Sequence, residues 1–260
     1  MDTRAKEIAN WMKARVAAAG SRGIVVGLSG GIDSAVVAGL ASMAVPGHVV
    51  GVLLPCHSDP RDEADATLAA QQFGIPAIRV DLAPAYDRLL LDLRTAIAHL
   101  PADQRTVFVH NEIDPKARVP VANIKPRLRM TSLYFVANSL DYLVAGTGNR
   151  SELSIGYFTK YGDGGVDLLP IGGLVKSEVR AIARALNVPE PIIEKAPSAG
   201  LWQGQTDESE MGFSYAELER YLTEGPDSVA PALAGRIERM TRASEHKRAL
   251  PPVPELPSST

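Results

Sequence analysis

The sequence has little cysteine, no strong charge of either sign and no unbroken apolar run long enough to span a membrane. The single cysteine, Cys56, excludes an intramolecular disulfide and a cysteine-rich metal site, and it suits a reducing compartment. The most apolar stretch, residues 35–55, is interrupted by Pro46, Gly47 and His48, which predicts a helix, a turn and a strand. Charged residues precede any apolar stretch, so we expect no secretory signal and a cytoplasmic protein.

The formal net charge is only −3, which argues against non-specific binding to nucleic acid or to a membrane surface. A length of 260 residues with 45% apolar content suits one large α/β domain or two small ones. We expect a single domain over residues 1–250. The Pro-rich stretch 251–260 is predicted to be a disordered tail.

Short apolar runs alternate with helical patterns through the first half of the chain. The predicted strands are residues 24–28, 49–54, 77–82 and 141–148, and the helices between them are 34–44, 62–73, 82–100 and 123–140. Runs without polar alternation indicate strands buried on both faces, and their alternation with helices indicates right-handed crossovers. The expected fold is α/β, a doubly wound, mostly parallel sheet flanked by helices, with ligands at the carboxyl ends of the strands.

The rest of the chain is predicted from periodicity and from Gly and Pro content. An amphipathic helix opens the chain and stops at Gly20. Residues 99–120 form a loop, and the glycine-rich segment 156–173 is a structured functional loop. Helices are expected after Gly148, over 174–188, over 215–222 and over 229–247, with a Pro-rich loop extending to Gly212.

The stretch "SGGIDS", Ser29 to Ser34, joins the first strand to the next helix. Two glycines allow backbone N–H groups to surround an anion, but the turn lacks the lysine of a P-loop and the spacing of a dinucleotide fingerprint. Instead it carries Asp33. At ~4 Å, two unit charges interact by about 4 kcal/mol at an effective dielectric constant near 20, more than the ~2 kcal/mol a helix N-terminus offers an anion. A Mg²⁺ ion shared with a polyphosphate resolves this conflict; the alternative is that Asp33 caps a helix beginning at Ser34.

The same stretch resembles the signature of the N-type ATP pyrophosphatases, which cleave ATP between its α and β phosphates and adenylate an acceptor. Further blocks resemble NAD synthetases in order and spacing: "NIKPRLRM", "AGTGNRSE", "GYFTKYGDGGVDLLPIGGLVKSEV", "EKAPSAGLW", "GQTDESEMGFSY" and "EHKR". This resemblance implies a Rossmann-like fold of the adenine nucleotide alpha hydrolase type. It also implies amidation of deamido-NAD to NAD through an adenylated nicotinate, with release of AMP and pyrophosphate.

The resemblance assigns two groups of ligands around ATP. It implies that ATP binds Gly27, Leu28, Ser29, Gly30, Gly31, Ile32, Asp33, Ser34, Thr147, Lys176 and Ser198, and that Asp33 and Glu152 bind Mg²⁺. Two of these assignments have simpler alternatives. Thr147 could be a helix cap, and Glu152 could be a first-turn acid favoured by the helix dipole. Lys176 is a cation in a first helical turn, where the dipole disfavours it, so it points to an anionic partner. Where the family usually has threonine, Ser198 keeps the hydroxyl.

The resemblance also implies a site for the dinucleotide. Its residues are Arg127, Lys160, Asp167, His246 and Lys247. The helix carrying Arg127 is apolar on most sides, so we expect it buried in the core or an interface, with an internal salt bridge as the alternative. Pro126 is tolerable only in the first helical turn. Asp163 is a candidate for placing or deprotonating ammonia, with a simple turn aspartate as the alternative.

The chain begins about one helix before the ATP motif, so we expect no glutaminase domain and free ammonia as the nitrogen donor. A separate glutaminase partner stays open. The resemblance implies a homodimer with deamido-NAD near the subunit interface. Two rival functions remain: another N-type ATP pyrophosphatase with a different acceptor, and a nucleotide-binding regulatory protein without catalysis. Retention of both candidate metal carboxylates speaks against the second.

Overall fold

A parallel sheet lies at the centre of the computed structural model, which describes residues 2–101, 103–104, 115–198 and 206–254. Its described strands run in the spatial order β3-β2-β1-β4. In chain order they are β1 (Gly23–Gly27), β2 (Val49–Leu53), β3 (Ala77–Arg79) and β4 (Tyr142–Ala145). Each neighbouring pair is parallel, so the predicted doubly wound α/β fold is confirmed.

Helices connect and cover the strands. They are α1 (Thr3–Ala18), α2 (Ile32–Ala44), α3 (Pro60–Gln72), α4 (Ala83–Ala98), α5 (Pro115–Ala122), α6 (Ile124–Leu140), α7 (Arg150–Ile155), α8 (Lys176–Ala185), α9 (Glu190–Ile193), α10 (Asp207–Met211), α11 (Tyr215–Glu224) and α12 (Pro231–Ala243), with 3₁₀ turns at Pro226–Ser228 and Glu245–Lys247. Helices α1, α2 and α8 pack together on one side of the sheet, while α6 contacts β1 and β4 and is joined there by α4.

The apolar core follows from this arrangement. Helix α2 is buried over most of its length, with Val36, Val37 and Leu40 fully buried, because it lies between the sheet and the helices α1, α3 and α8. A second cluster forms on the α6 side around Val25, Val52 and Val144, the central residues of their strands. A third cluster joins α7, α11 and α12.

The strand order places the functional turns side by side. Strands β1 and β4 are hydrogen-bonded neighbours although some 115 residues of sequence separate them. The glycine turn after β1 and the turn after β4 therefore leave the same edge of the sheet. In an open parallel sheet a point where the chain order reverses forms the crevice in which ligands bind.

Strand β3 corrects one expectation. The run 77–82 was expected to be a strand buried on both faces, but the strand covers only Ala77–Arg79 and all of its residues are exposed. Among the described residues it pairs on one side only, with β2, so it is an edge strand of the described sheet. A short apolar run alone does not distinguish an edge position from a central one.

Three helical segments differ from the prediction. The loop expected over 99–120 contains α5, with Pro120 inside the helix; residues 102 and 105–114 lie outside the described residues. The Pro-rich loop expected to reach Gly212 contains α9 and α10. The helix expected over 229–247 begins at Pro231 and ends at Ala243, and the 3₁₀ turn Glu245–Lys247 follows it.

Two other expectations concern the glycine-rich segment and the chain end. Residues 156–173 contain no helix and only an isolated bridge between Ala145 and Leu168, which confirms the predicted structured loop. Residues 251–254 are exposed and irregular, and the remainder of the predicted tail lies outside the described residues. Within the described ranges no helix is both long and apolar enough to cross a bilayer.

Candidate active site

The turn between β1 and α2 has one strict glycine position. Gly30 has φ +76°, and a Cβ there would lie 2.2 Å from the carbonyl oxygen of Asp62. Gly31 has φ −94° and is the N-cap of α2, so of these two glycines only Gly30 has a positive φ. The Ser34 hydroxyl donates to the Gly31 carbonyl at 2.8 Å and lies 3.2 Å from the Ser29 hydroxyl. These contacts link Ser29, at the start of the turn, to the first turn of α2.

Asp33 does not cap its helix. It is the second residue of α2, which begins at Ile32, and its carboxylate instead faces other elements. Oδ2 accepts from Nζ of Lys176 at 2.5 Å, and Oδ1 accepts from Nδ2 of Asn149 at 3.1 Å. Asn149 is fully buried and is the N-cap of α7, so the turn after β4 contacts the turn after β1 directly.

Glu152 is the second carboxylate of the cluster. Its Oε2 accepts from the backbone N–H of Asn149 at 3.2 Å in a capping box, so Glu152 is a first-turn acid of α7, as in the simpler alternative considered from sequence. Its Oε1 lies 3.7 Å from Nζ of Lys176. Burial, followed by the negative charge of Asp33, raises the pKa of Glu152 to about 8. Because this value already includes the effect of the Lys176 ammonium, the carboxyl needs a further cation to be ionised at neutral pH.

Lys176 is the cation at the centre of this cluster. It is the first residue of α8, and only 2% of its side chain is exposed. Burial opposes its charge, but the carboxylates of Asp33 and Glu152 outweigh burial and raise its pKa above the ordinary value. The predicted anionic partner of this lysine is therefore present within the chain itself.

A tyrosine and an aspartate that sequence reasoning did not select complete the cluster. The Tyr215 hydroxyl lies 2.9 Å from Oδ2 of Asp207 and 3.4 Å from Oε1 of Glu152. The Lys176 ammonium stands 5.1 Å from the centre of the Tyr215 ring, in cation–π contact. Asp207 is buried, and burial raises its pKa. Its only sequence signal was its place in "GQTDESEMGFSY".

The charge balance of this cluster fits a divalent cation. Asp33, Glu152 and Asp207 all interact with the one ammonium of Lys176, which leaves an excess of two negative charges when the carboxyls are ionised. In the part of the chain that is described, no three or more carboxylate, histidine or cysteine side chains converge into a complete metal site. Mg²⁺ suits such a place, because it takes one or two carboxylates and shares the rest of its shell with phosphate and water.

A cavity of about 490 Å³ opens beside the cluster. Of the residues predicted from sequence, its wall contains Gly27, Leu28, Ser29, Gly31, Ile32, Asp33, Thr147, Glu152, Asp163, Lys176, Ser198 and Lys247. The structure thus brings together almost the whole predicted ATP and metal group. Gly30 and Ser34 lie outside the wall, since they face α3 and the turn itself.

Much of the predicted dinucleotide group lies away from this cavity. Arg127 is exposed rather than buried, and its guanidinium is 3.5 Å from the Lys160 carbonyl. The Lys160 ammonium in turn donates to the carbonyl of His246 at 2.5 Å. Pro126 falls in the first turn of α6, where proline is tolerated. Arg127, Lys160 and His246 therefore form a chain of contacts at the surface.

The other two members of that group, Asp167 and Lys247, are held by hydrogen bonds within the chain. Asp167 accepts from the Tyr134 hydroxyl at 3.0 Å and from the Val144 N–H at 2.8 Å. Lys247 donates to the carbonyls of Gly156 and Phe158, each at 2.7 Å, and burial lowers its pKa. Both side chains anchor the glycine-rich segment to its surroundings.

Asp163 and Arg129 both line the cavity. The Asp163 carboxylate accepts from the N–H of Thr159 at 2.9 Å, as in a turn, and the residue also lines the cavity. Arg129, which sequence reasoning did not select, donates to the Leu54 carbonyl and the Ser58 hydroxyl, each at 3.2 Å. Burial lowers the pKa of its guanidinium.

Comparison with known proteins agrees with this geometry. The family model described as NAD synthase matches residues 4–251. The NH(3)-dependent NAD(+) synthetase of Carboxydothermus hydrogenoformans is 49% identical, over 98% of each chain. Among solved structures, the NMN synthetase of Francisella tularensis has a TM-score of 0.86 and 36% identity, covering 97% of this chain and 98% of that one.

A second solved structure extends the comparison. The NH3-dependent NAD synthetase of Campylobacter jejuni has a TM-score of 0.75 and 27% identity, covering 98% of this chain and all of that one. A matching family model over nearly the whole chain, relatives of this identity and the clustered glycine turn, lysine and carboxylates lead to one conclusion. The chain belongs to the NAD synthase family.

Proposed function

We propose that the chain catalyses the ATP-dependent amidation of deamido-NAD to NAD with ammonia. The observation that carries this is the Asp33–Lys176–Glu152 cluster at the end of the glycine turn, in a chain of the NAD synthase family. A glycine turn binds phosphate, and buried carboxylates beside it bind the accompanying cation. The activity in the names of the relatives supports this choice over a different acceptor or a regulatory role.

ATP is proposed to lie with its phosphates on the turn Gly27 to Ser34, near Thr147, Lys176 and Ser198. The N-terminus of α2 and the backbone N–H groups of the turn supply donors there. The two turns at the carboxyl ends of β1 and β4 contact one another through Asn149 and Asp33. ATP is therefore positioned by elements whose relative placement depends on the sheet.

Asp33 and Glu152 are the residues proposed to hold Mg²⁺. A Mg²⁺ ion held there would neutralise charge on the phosphates and make the α-phosphorus more electrophilic. In the structure both carboxylates face the Lys176 ammonium. If these carboxylates held the ion, the Lys176 ammonium would be free to donate to a phosphate oxygen.

The chemistry is proposed to run in two steps. The nicotinate carboxylate attacks the α-phosphorus of ATP, the bond to the bridging oxygen breaks, and pyrophosphate leaves with the electron pair. Ammonia then attacks the adenylated carbonyl, and AMP leaves as NAD forms. The residues of this chain position the reactants and neutralise charge rather than form a covalent bond. Asp163, on the cavity wall, is proposed to orient ammonia and accept its proton.

The dinucleotide is proposed to use Lys247 in the cavity wall and the surface group Arg127, Lys160, Asp167 and His246. That surface group is separate from the cavity in one chain. A homodimer is proposed because several apolar side chains of α4, α5 and α6 are exposed, including Leu91 at 59%, Val119 at 55% and Phe135 at 74%. A second copy covering them places the surface group at an interface, near where the resemblance expects deamido-NAD.

A mononucleotide acceptor is the second candidate. The Francisella tularensis structure named NMN synthetase is similar to this chain over nearly its whole length. The cavity wall also contains the predicted ATP residues but only one of the five predicted dinucleotide residues. Nicotinic acid mononucleotide would need fewer contacts than deamido-NAD, and its amidation would give NMN.

One experiment tests these assignments. Purified protein is incubated with Mg²⁺, ATP and an ammonium salt, with deamido-NAD in one series and nicotinic acid mononucleotide in the other. The proposal expects NAD, AMP and pyrophosphate in equal amounts, with a higher kcat/KM for deamido-NAD. NMN formation with the higher kcat/KM would favour the second candidate. Absence of either amide under all conditions would contradict both.

The nitrogen source and the compartment complete the proposal. Free ammonia is the proposed donor, as for the NH(3)-dependent relatives, and a separate glutaminase would reveal itself by making glutamine a substrate in a cell extract. Cys56 is a buried free cysteine, which suits the reducing cytoplasm proposed as the site of the reaction.

A further inference from the structure

A second lysine reaches the glycine turn from a distant part of the chain. Lys195 follows α9, and its Nζ lies 2.7 Å from Oδ1 of Asp62, 2.5 Å from Oδ2 of Asp65 and 3.4 Å from the Gly30 carbonyl. Both aspartates belong to the first two turns of α3. The three N–H groups of the ammonium are therefore directed at two carboxylates and the turn itself.

The start of α3 and the turn form one packed unit. The Asp62 backbone is so close to Gly30 that no side chain fits there. Asp62, Lys195, Ser29 and Gly31 all contribute to the wall of the same cavity. The ammonium of Lys195 is thus held beside the backbone that is proposed to receive the phosphates of ATP.

The position of Lys195 supplies a cation where the glycine turn itself has no lysine. A P-loop places its lysine directly after its glycines, and "SGGIDS" contains none. The fold brings two lysines to this turn instead: Lys176 at Asp33, and Lys195 at Gly30. The first is occupied by the carboxylates proposed to hold Mg²⁺. The second lies apart from them and has no part in the proposed function so far.

The Lys195 side chain is suited to reversible binding of an anion. It is 29% exposed, so it is accessible from the cavity. Burial opposes its charge, but its hydrogen bonds and charge interactions with Asp62 and Asp65 outweigh burial and raise its pKa. It is cationic throughout the range in which ATP is fully ionised. Charge-assisted hydrogen bonds to phosphate are among the stronger polar contacts available to it.

We propose that Lys195 is a pyrophosphate-binding residue, whose ammonium exchanges one aspartate for the β- or γ-phosphate oxygens of ATP and retains the leaving pyrophosphate. This rests on the proposed function. When the bond between the α-phosphorus and the bridging oxygen breaks, that oxygen keeps the electron pair and becomes part of pyrophosphate. The ammonium offsets the resulting charge by an N–H contact and transfers no proton.

Asp62 and Asp65 then have a defined role. They hold the ammonium at the turn before ATP binds, and they compete with the phosphate for its N–H groups. Removing the Asp65 carboxylate frees one N–H and removes a negative charge near the bound anion. Asp65→Asn is therefore expected to bind pyrophosphate more tightly than the unchanged protein, whereas Lys195→Met is expected to bind it more weakly.

The test is a calorimetric titration of pyrophosphate into the full chain in the presence of Mg²⁺. Lys195→Met is expected to raise the Kd by at least about tenfold, the loss of one charge-assisted hydrogen bond. Lys195→Arg keeps the charge and is expected to stay within about threefold. Lys13→Met, an exposed lysine on α1, is the matched control and is expected to leave the Kd unchanged.

Two results would overturn the proposal. The first is an unchanged Kd for pyrophosphate in Lys195→Met. The second is a raised Kd for pyrophosphate in Asp65→Asn, in the same direction as in Lys195→Met. The second would mean that Lys195 only fixes the position of the loop. If Lys195→Met fails to fold, judged by circular dichroism, Lys195→Arg and Asp65→Asn decide the question. Because binding of pyrophosphate needs no turnover, absence of NAD formation would contradict the proposed function while the titration still tests Lys195.

Discussion

The Lys176 ammonium lies 2.5 Å from a carboxylate oxygen of Asp33 and 3.7 Å from one of Glu152, so a single buried cation holds two acidic groups that would otherwise repel each other. Asp33 lies in the first turn of α2, which follows β1, and Glu152 lies in the first turn of α7, which follows β4. The contact thus joins the two turns that the sheet places side by side.

Asp33→Asn is expected to lower kcat/KM for ATP by at least about 100-fold while leaving the fold intact. The amide keeps the shape of the side chain and its contact with Asn149, but it removes the negative charge proposed for Mg²⁺. Steady-state rates with deamido-NAD measure this, and circular dichroism reports the fold. Asp92→Asn, an exposed aspartate on α4 paired with Arg88, is the control. A fully active Asp33→Asn protein would refute the metal assignment.

Lys176→Met is expected to destabilise the Mg²⁺-free protein by about 3–5 kcal/mol, because it leaves the carboxylates of Asp33 and Glu152 without their partner. Chemical denaturation in a chelator measures the free energy of unfolding. Adding Mg²⁺ is expected to restore part of the loss, since the ion replaces the missing positive charge. Lys6→Met, an exposed lysine on α1, is expected to change little. Equal losses with and without Mg²⁺ would argue against a metal at these carboxylates.

In Glu152→Gln, the free energy of unfolding is expected to fall less with rising pH than in the unchanged protein. The folded-state pKa of Glu152 is raised to about 8, above its ordinary value near 4.5. Between these values the folded protein holds a proton that the unfolded chain has released, so the free energy of unfolding falls as pH rises from 5 towards 8. A glutamine does not titrate and lacks this contribution.

The measurement is thermal unfolding from about pH 5 to 8 in a chelator, with the pH dependence compared between variants. The Tm of Glu152→Gln, relative to the unchanged protein, is expected to improve steadily as pH increases. Glu224→Gln, at an exposed glutamate ending α11, serves as the control. Parallel Tm curves for Glu152→Gln and the unchanged protein would show that the pKa of Glu152 is not raised.

Phe135→Glu is expected to convert the proposed homodimer into monomers. Phe135 is 74% exposed on α6, and a charge there opposes burial against a second copy. Sedimentation velocity distinguishes the two states, and the free energy of unfolding should be tested at equal protein concentration. Leu250→Glu, at an apolar residue that is 91% exposed near the chain end, is the control. A monomeric unchanged protein would contradict the dimer directly.

Much of the fold was predictable because it depends on local patterns. The apolar runs predicted all four described strands to within a few residues, and the glycine turn lies at the end of β1, as predicted. Periodicity gave the positions of α1, α2, α3 and α6 for the same reason. The edge position of β3 was missed, since exposure of a strand depends on which neighbours the sheet supplies.

The sequence by itself determined the order of strands and helices, the glycine turn with its aspartate, and the resemblance of the motifs. Only the tertiary structure decided which cations meet that turn. Lys176 and Lys195 lie 143 and 165 positions from the atoms they contact in Asp33 and Gly30. No local pattern encodes such contacts. They arise because parallel strand pairing brings distant turns to one edge, and because buried carboxylates are stable only where a cation is packed beside them.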